Sequence, residues 1–180
     1  MVFGQQLSKV VIYCYEDGFK GRDALKHILG DSQVKALQSD GYNIYMYLDD
    51  HMVDIEHLCC MAHARTKFKY ALEQGNDKDA TFILELIGEL YRLGRKYEEG
   101  KLSPEQIRLC RNNLKTKEII IKLHSKLEVL LSDGHPLCGE LMDKAINYMN
   151  TFWTQLFAYL NDGSYSIDNS IAERFIRPLV

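Results

Sequence analysis

The sequence has no apolar run approaching the length of a membrane span, so nothing in it reads as a transmembrane helix. Its opening, MVFGQQLSKVV, lacks the charged, apolar and small-residue succession of a secretory signal, and the expected location is the cytoplasm. A disulfide framework is missing as well. The five cysteines, Cys14, Cys59, Cys60, Cys110 and Cys138, are odd in number and scattered, as expected of reduced thiols. There is no basic excess: the net charge of −3 argues against a stand-alone nucleic-acid binder resting on a uniformly basic face, and leaves local basic patches open. Internal repeats and low-complexity segments are absent. What remains is a soluble-type composition, 46% hydrophobic and 26% charged, sufficient in 180 residues for one core or one core with an inserted helical lobe.

Hydrophobic patterning divides the chain into two textures. In the first third, KVVIYCYED (9–17), VKALQSDGY (34–42) and IEHLCCMAH (55–63) read as strands, with a short amphipathic helix over GRDALKHILG (21–30) and a helical turn in GYNIYMYL (41–48) between them. That β-α-β-α-β alternation points to an α/β sheet. From Ala62 onward the period becomes helical. AHARTKFKYALEQG ends at a glycine stop, and Ile83, Leu86, Ile87, Leu90 and Tyr91 mark the next stripe. Ser103-Pro104-Glu105-Gln106 has the form of a capping box with proline at the first helical position. Ile120, Leu123, Leu127 and Leu130 continue one stripe. After the turn SDGHP, Met142, Ala145, Ile146, Met149, Trp153, Leu156, Phe157 and Leu160 read as another. Long helices with short connections imply antiparallel neighbours that bury these stripes together.

Three groups of residues carry chemistry. Asp40 ends a short strand ahead of Gly41, where open α/β sheets gather ligands, but Asp-Gly is also a common turn dipeptide. Cys60 and His63 have a spacing that supplies two zinc ligands; the sequence offers no second pair to complete the site, and free cysteine is often simply buried. Arg65, Lys67 and Lys69 form a small basic face beside them, with a solvated face as the plainer reading. Near the end, Ser170-Ile171-Ala172-Glu173 fits a capping box, and Glu173 precedes Arg177 by four residues in the favourable order for an ion pair. Taken locally, Glu173 is a cap or ion-pair residue before it is a catalyst. The Tyr/Met/Trp stripe in NYMNTFWTQLFAYL (147–160) fits a core face better than a base-stacking surface.

In order along the chain, LQSDGY, HLCCMAHARTKF and FWTQLFAYLNDGSYSIDNSIAERFIRPL resemble three landmarks of the insertion-sequence sixty-six family of bacterial transposases. The resemblance covers essentially the whole chain, and DNSIAERFIRP is its most specific part. It implies an RNase H-like catalytic domain with an Asp-Asp-Glu triad holding two divalent metals, Mg²⁺ or Mn²⁺, for phosphodiester cleavage and strand transfer. Matched residue by residue, Asp40 corresponds to the second carboxylate and Glu173 to the third, with Cys60 and His63 as the signature Cys-x-x-His. Arg65, Lys67, Arg174 and Arg177 become candidate phosphate contacts, since guanidinium matches phosphate bidentately. DNA at the element ends and other transposase chains are the implied partners, zinc is set aside, and no membrane is involved.

The sequence also departs from that pattern. The strand expected to carry the first aspartate has no counterpart, and Asp17, Asp49 and Asp50 fall in loops that do not match. The expected architecture is therefore a partial RNase H-like sheet over 1–61 with its first strand missing, an all-helical insertion over 62–166 and a terminal helix over 167–180. On this reading the chain is an internal piece of a transposase, inactive by itself. The alternatives are a non-catalytic helical interaction or DNA-binding module, and a small metal protein organised by Cys60 and His63.

Overall fold

The computed structural model of the protein describes residues 2–4, 11–13, 34–41, 55–75, 78–132 and 139–170, the first two stretches by backbone alone. The expected helix over 21–30 and helical turn over 41–48 fall mainly or wholly outside these residues. Two short strands, β1 (Val2–Gly4) and β2 (Val11–Tyr13), pair antiparallel, with Phe3 opposite Ile12. Two more, β3 (Ala36–Ser39) and β4 (Glu56–Cys59), pair parallel, with Ser39 opposite Cys59. Among the described residues these are two separate two-stranded ladders rather than one sheet of three strands.

The strand expected over 55–63 is shorter than its apolar pattern suggests. The Cys60 amide makes the last bond to the Ser39 carbonyl (2.8 Å), and the Met61 amide turns to the Ile167 carbonyl (3.1 Å). With the ladder ended, α1 (Met61–Gly75) begins, and His63 lies in its first turn rather than on a strand. The chain continues through α2 (Lys78–Glu99), α3 (Pro104–Arg111), α4 (Leu114–Ser132), α5 (Glu140–Thr151) and α6 (Trp153–Phe157) to a 3₁₀ turn over Ala158–Leu160. Among the described residues no helix is long and apolar enough to cross a membrane.

The helical stripes assemble as their periods require. Ala80, Ile83, Leu86, Ile87 and Leu90 of α2 and Ile119, Leu123, Leu127 and Leu130 of α4 are buried in one cluster with Met61, Ala64 and Phe68 of α1 and Met142, Ala145, Ile146 and Met149 of α5. The α4 stripe thus starts at Ile119 where Ile120 was expected; Ile120, like Tyr91, is only half-buried against this cluster. Helix α1 packs on α2 and α5, and α4 packs on the same two, closing a ring of four. Leu58 and Cys59 of β4 enter the same core, so the parallel strand pair is rooted in the bundle. Helix α3 starts at the capping box: the Ser103 hydroxyl accepts from the Gln106 amide (3.3 Å), and the Gln106 side chain accepts from the Ser103 amide (2.9 Å).

The stripe read from Met142 to Leu160 is one surface but not one helix. At Phe152 the backbone leaves the helical region (φ −105°, ψ 21°), which ends α5 and starts α6. The break lets the buried Phe152 ring lie 5.0 Å from that of Tyr148, and sets Trp153 between His124 of α4 and Phe157. Beyond it, the 159–165 loop is tied to the end of α3 by Asn112, whose Nδ2 donates to the Leu160 carbonyl (2.9 Å), and above all by Arg111. The Arg111 guanidinium donates through Nη1 to the carbonyls of Tyr159 (2.9 Å), Asp162 (3.0 Å) and Tyr165 (2.9 Å), and lies 5.2 Å from the Tyr159 ring centre. Burial pulls its pKa below the usual arginine value, an effect opposed chiefly by Tyr159 and Glu98. At Gly163 a Cβ would stand 1.7 Å from the Pro104 carbonyl oxygen, so the loop seats against α3 only with glycine there.

Replacing Arg111 with methionine keeps the side-chain stem and leaves three carbonyls without their charged donor. The expected outcome is a loss of about 2–4 kcal/mol in urea unfolding, with far-UV circular dichroism unchanged.

Candidate functional site

Strands β3 and β4 run parallel, so their carboxyl ends share one edge, and of the candidate residues Asp40, Cys60 and His63 follow directly from those ends. Asp40 follows β3 directly and is exposed. Its carbonyl accepts from the Tyr148 hydroxyl of α5 at 2.9 Å. Gly41 turns the chain with φ +82°, and a Cβ there would lie 2.7 Å from the Tyr148 ring and 3.0 Å from that of Phe152. Only glycine meets both the left-handed backbone and the close approach. The carboxylate and the turn are thus one feature, with Asp40 presented by a tightly braced bend.

Beneath this bend lies a polar cluster that sequence reasoning missed in Ser39. The Ser39 hydroxyl is 2.8 Å from His57 Nε2 and accepts from the Gly41 amide at 3.2 Å, and Cys59 Sγ stands 3.9 Å from the same histidine nitrogen. All three side chains are buried, which makes the cluster a support for the strand ends rather than a reacting centre. Alternation along β3 and β4 puts Ser39, His57 and Cys59 on one face, a signal the sequence carries.

The other side of the edge is formed by a segment from far along the chain. Gln38 Nε2 donates to the Ser166 carbonyl (3.1 Å), Met61 N–H to the Ile167 carbonyl (3.1 Å), and Asn169 N–H to Cys60 Sγ (3.4 Å). Asp168 accepts from the Tyr91 hydroxyl of α2 at Oδ2 (2.7 Å) and from the Ser170 amide at Oδ1 (3.0 Å). Ser170 is where the backbone becomes helical again. Glu173, Arg174 and Arg177 lie outside the described residues, as do Asp17, Asp49 and Asp50. Tyr91 was legible only as part of an apolar stripe. Asp168 carried a clearer sign, since an aspartate two residues before an amide commonly closes an Asx turn.

Cys60 is fully buried where β4 passes into α1. Burial pushes its thiol up from 9.0 to about 11, outweighing the nearby Asn169, His63 and Ala62 amides that favour the thiolate. His63 is half-buried in the first turn of α1. Burial, then the Asp168 hydrogen bond, raise the Tyr91 pKa; burial raises that of Tyr148. The basic candidates on α1 face these tyrosines: Arg65 Cζ lies 5.7 Å from the Tyr91 ring centre, and Lys67 Nζ 5.0 Å from that of Tyr148. Among the described residues no three His, Cys, Asp or Glu side chains form a group able to hold a metal.

The folded Cys60 thiol holds its proton more tightly than the unfolded one. Its contribution is therefore complete below pH 9 and is lost as pH rises toward about 11. The urea midpoint is expected to fall across that window by the equivalent of about 2 kcal/mol. In Cys60→Ala the fall should begin later, near the range where tyrosines ionise.

The model of the Transposase IS66 family matches residues 2–180. The uncharacterized protein y4qI of Sinorhizobium fredii is 31% identical over 183 residues, covering 98% of this chain and 32% of its own length. From the same organism, y4jD is 26% identical over 170 residues, covering 92% of this chain and 32% of itself. The chain thus spans about a third of the length of these curated relatives. No solved structure matches it. A family match over essentially the whole chain settles the lineage: the protein belongs to the IS66 family of transposases.

Proposed function

We propose that this chain supplies part of the metal-dependent DNA cleavage and joining centre of an insertion-sequence transposase, with Asp40 and Glu173 as two of its carboxylates. The observation that carries this reading is the return of Ser166–Ser170 onto the carboxyl ends of β3 and β4, the edge where Asp40 leaves its strand. Glu173 follows three residues later. The antiparallel β1–β2 hairpin ahead of the parallel β3–β4 pair supports an RNase H-like interpretation of 1–61, with 62–166 as a helical insertion and 167–180 as the helix that brings back the third carboxylate.

The donor chemistry at this edge favours a hard cation. Asp40 offers an exposed carboxylate, whereas Cys60 is buried, protonated at neutral pH and already accepting from Asn169. Mg²⁺ or Mn²⁺ suits oxygen ligands. The described residues provide one such carboxylate and Glu173 would add the second, so further ligands come from DNA, solvent or other residues. When bound, a metal pair stabilises the attacking and leaving oxygens at a phosphodiester. The chain's own part is to fix Asp40 on the Gly41 bend and to carry Arg65 and Lys67 on the adjoining helix, where they meet backbone phosphates; Arg174 and Arg177 extend that role.

A second reading, a helical association module for other transposase chains, is favoured by α4. Leu114, Ile121 and Val129 are exposed by 74%, 63% and 49% along one helix. Sedimentation velocity separates the readings: self-association lost in Ile121→Lys supports this role, and a monomer at high concentration counts against it.

For the metal centre, Mn²⁺ titration followed by NMR is the direct test. Paramagnetic broadening is expected to centre on the Gly41 and Ser170 amides and to be lost in Asp40→Asn or Glu173→Gln. Broadening centred elsewhere, or unchanged in both variants, would overturn the assignment.

A further inference from the structure

We propose that Tyr91 is a positioning residue for this edge: from the helical lobe, and through Asp168, it sets the Asp168–Ser170 turn that leads to Glu173, while Cys60 holds the same turn from the strand end. The inference rests on the reading of Glu173 as a metal-holding carboxylate and identifies the side chains that place it.

Both oxygens of Asp168 are committed. Oδ2 accepts from the Tyr91 hydroxyl at 2.7 Å across 77 residues of chain, and Oδ1 accepts from the Ser170 amide at 3.0 Å. Between them, Asn169 donates its amide to Cys60 Sγ at 3.4 Å, across 109 residues. Three successive residues are therefore fixed from two elements, the α2 helix and the end of β4. Glu173 lies three residues beyond Ser170 in the chain, so the clamp acts on the segment that leads directly to it.

The hydroxyl is the specific part of Tyr91. The ring packs against the core, and a phenylalanine would serve that purpose equally. Burial and the neighbouring carboxylate raise its pKa, so the hydroxyl stays a donor at all working pH values. Arg65 over the ring, at 5.7 Å, further fixes its plane and links the clamp to the basic face of α1. The same geometry gives the Cys-x-x-His signature a role without zinc: Cys60 joins the first turn of α1 to Asn169.

The test compares the 180-residue chain with its Tyr91→Phe variant by residue-resolved hydrogen exchange, Mn²⁺ affinity and thermal midpoint. Loss of a hydrogen bond to a charged acceptor is expected to speed exchange at Ser170 by about tenfold or more, with α4 amides such as Leu123 unaffected. Mn²⁺ affinity should fall by about tenfold, while the thermal midpoint moves only a few degrees. Asp168→Asn, which keeps an oxygen for the Ser170 amide, should retain most of the protection that Asp168→Ala loses. Unchanged Ser170 exchange in Tyr91→Phe would overturn the clamp. So would equal loss of protection throughout α4, which marks a merely structural role. If Asp40→Asn and Glu173→Gln lower Mn²⁺ affinity and Tyr91→Phe does not, positioning is refuted while the metal reading stands. If neither carboxylate variant changes the affinity, the metal reading has failed, and the exchange result alone decides whether the clamp exists.

Discussion

The arrangement depends on a chain closure: the amide of Asn169 reaches Cys60, 109 residues earlier, and that of Met61 reaches the Ile167 carbonyl. Closing so long a loop would be costly for a flexible chain, although the cost grows only slowly with length. Here most of the described intervening residues are helical. They form a ring of helices whose single core also contains Leu58 and Cys59 of β4. The packed helices thus hold the end of β4 and the 167–169 segment next to one another.

The edge that results is braced at each point by a group with a second attachment. Tyr148 belongs to the bundle and holds the Asp40 carbonyl; Tyr91 belongs to the bundle and holds Asp168. Arg111 fixes the loop that leads into the returning segment by gathering three of its carbonyls. The lobe therefore does more than fill space between two motifs. It sets the position of the Asp168–Ser170 turn relative to the strand that carries Asp40, and the proposed sharing of a cation by Asp40 and Glu173 would require that position to be held to within fractions of an ångström.

Much of this was legible locally. The stripes of α2 and α4 followed from spacing, and the Ser103–Gln106 capping box was complete in the sequence. Asp40–Gly41 allowed two readings, strand end and turn, and the structure joins them, because a carboxylate at a strand end is best displayed by a residue able to adopt positive φ. The limits were equally physical. Nothing in local spacing marks Tyr91 for Asp168, or Arg111 for three distant carbonyls, because such pairs arise only after the helices pack. The break at Phe152 was hidden in an uninterrupted apolar period, since no helix-breaking residue marks it and the approach of its ring to Gly41 joins residues far apart in the chain. The β4–α1 boundary was blurred for the opposite reason: Cys59, Cys60 and Met61 are all buried, and apolar content alone does not separate a strand from the helix after it.

The central claim is that the helical lobe returns the terminal segment to Asp40 so that two carboxylates share a cation. The most direct measurement is a crystal structure grown with Mn²⁺ and read by anomalous scattering. The account predicts a manganese peak within coordinating distance, about 2.0–2.3 Å, of carboxylate oxygens from both Asp40 and Glu173. A peak held by Cys60 and His63, or a Glu173 carboxylate turned away from the Asp40 edge with manganese bound elsewhere, would contradict it.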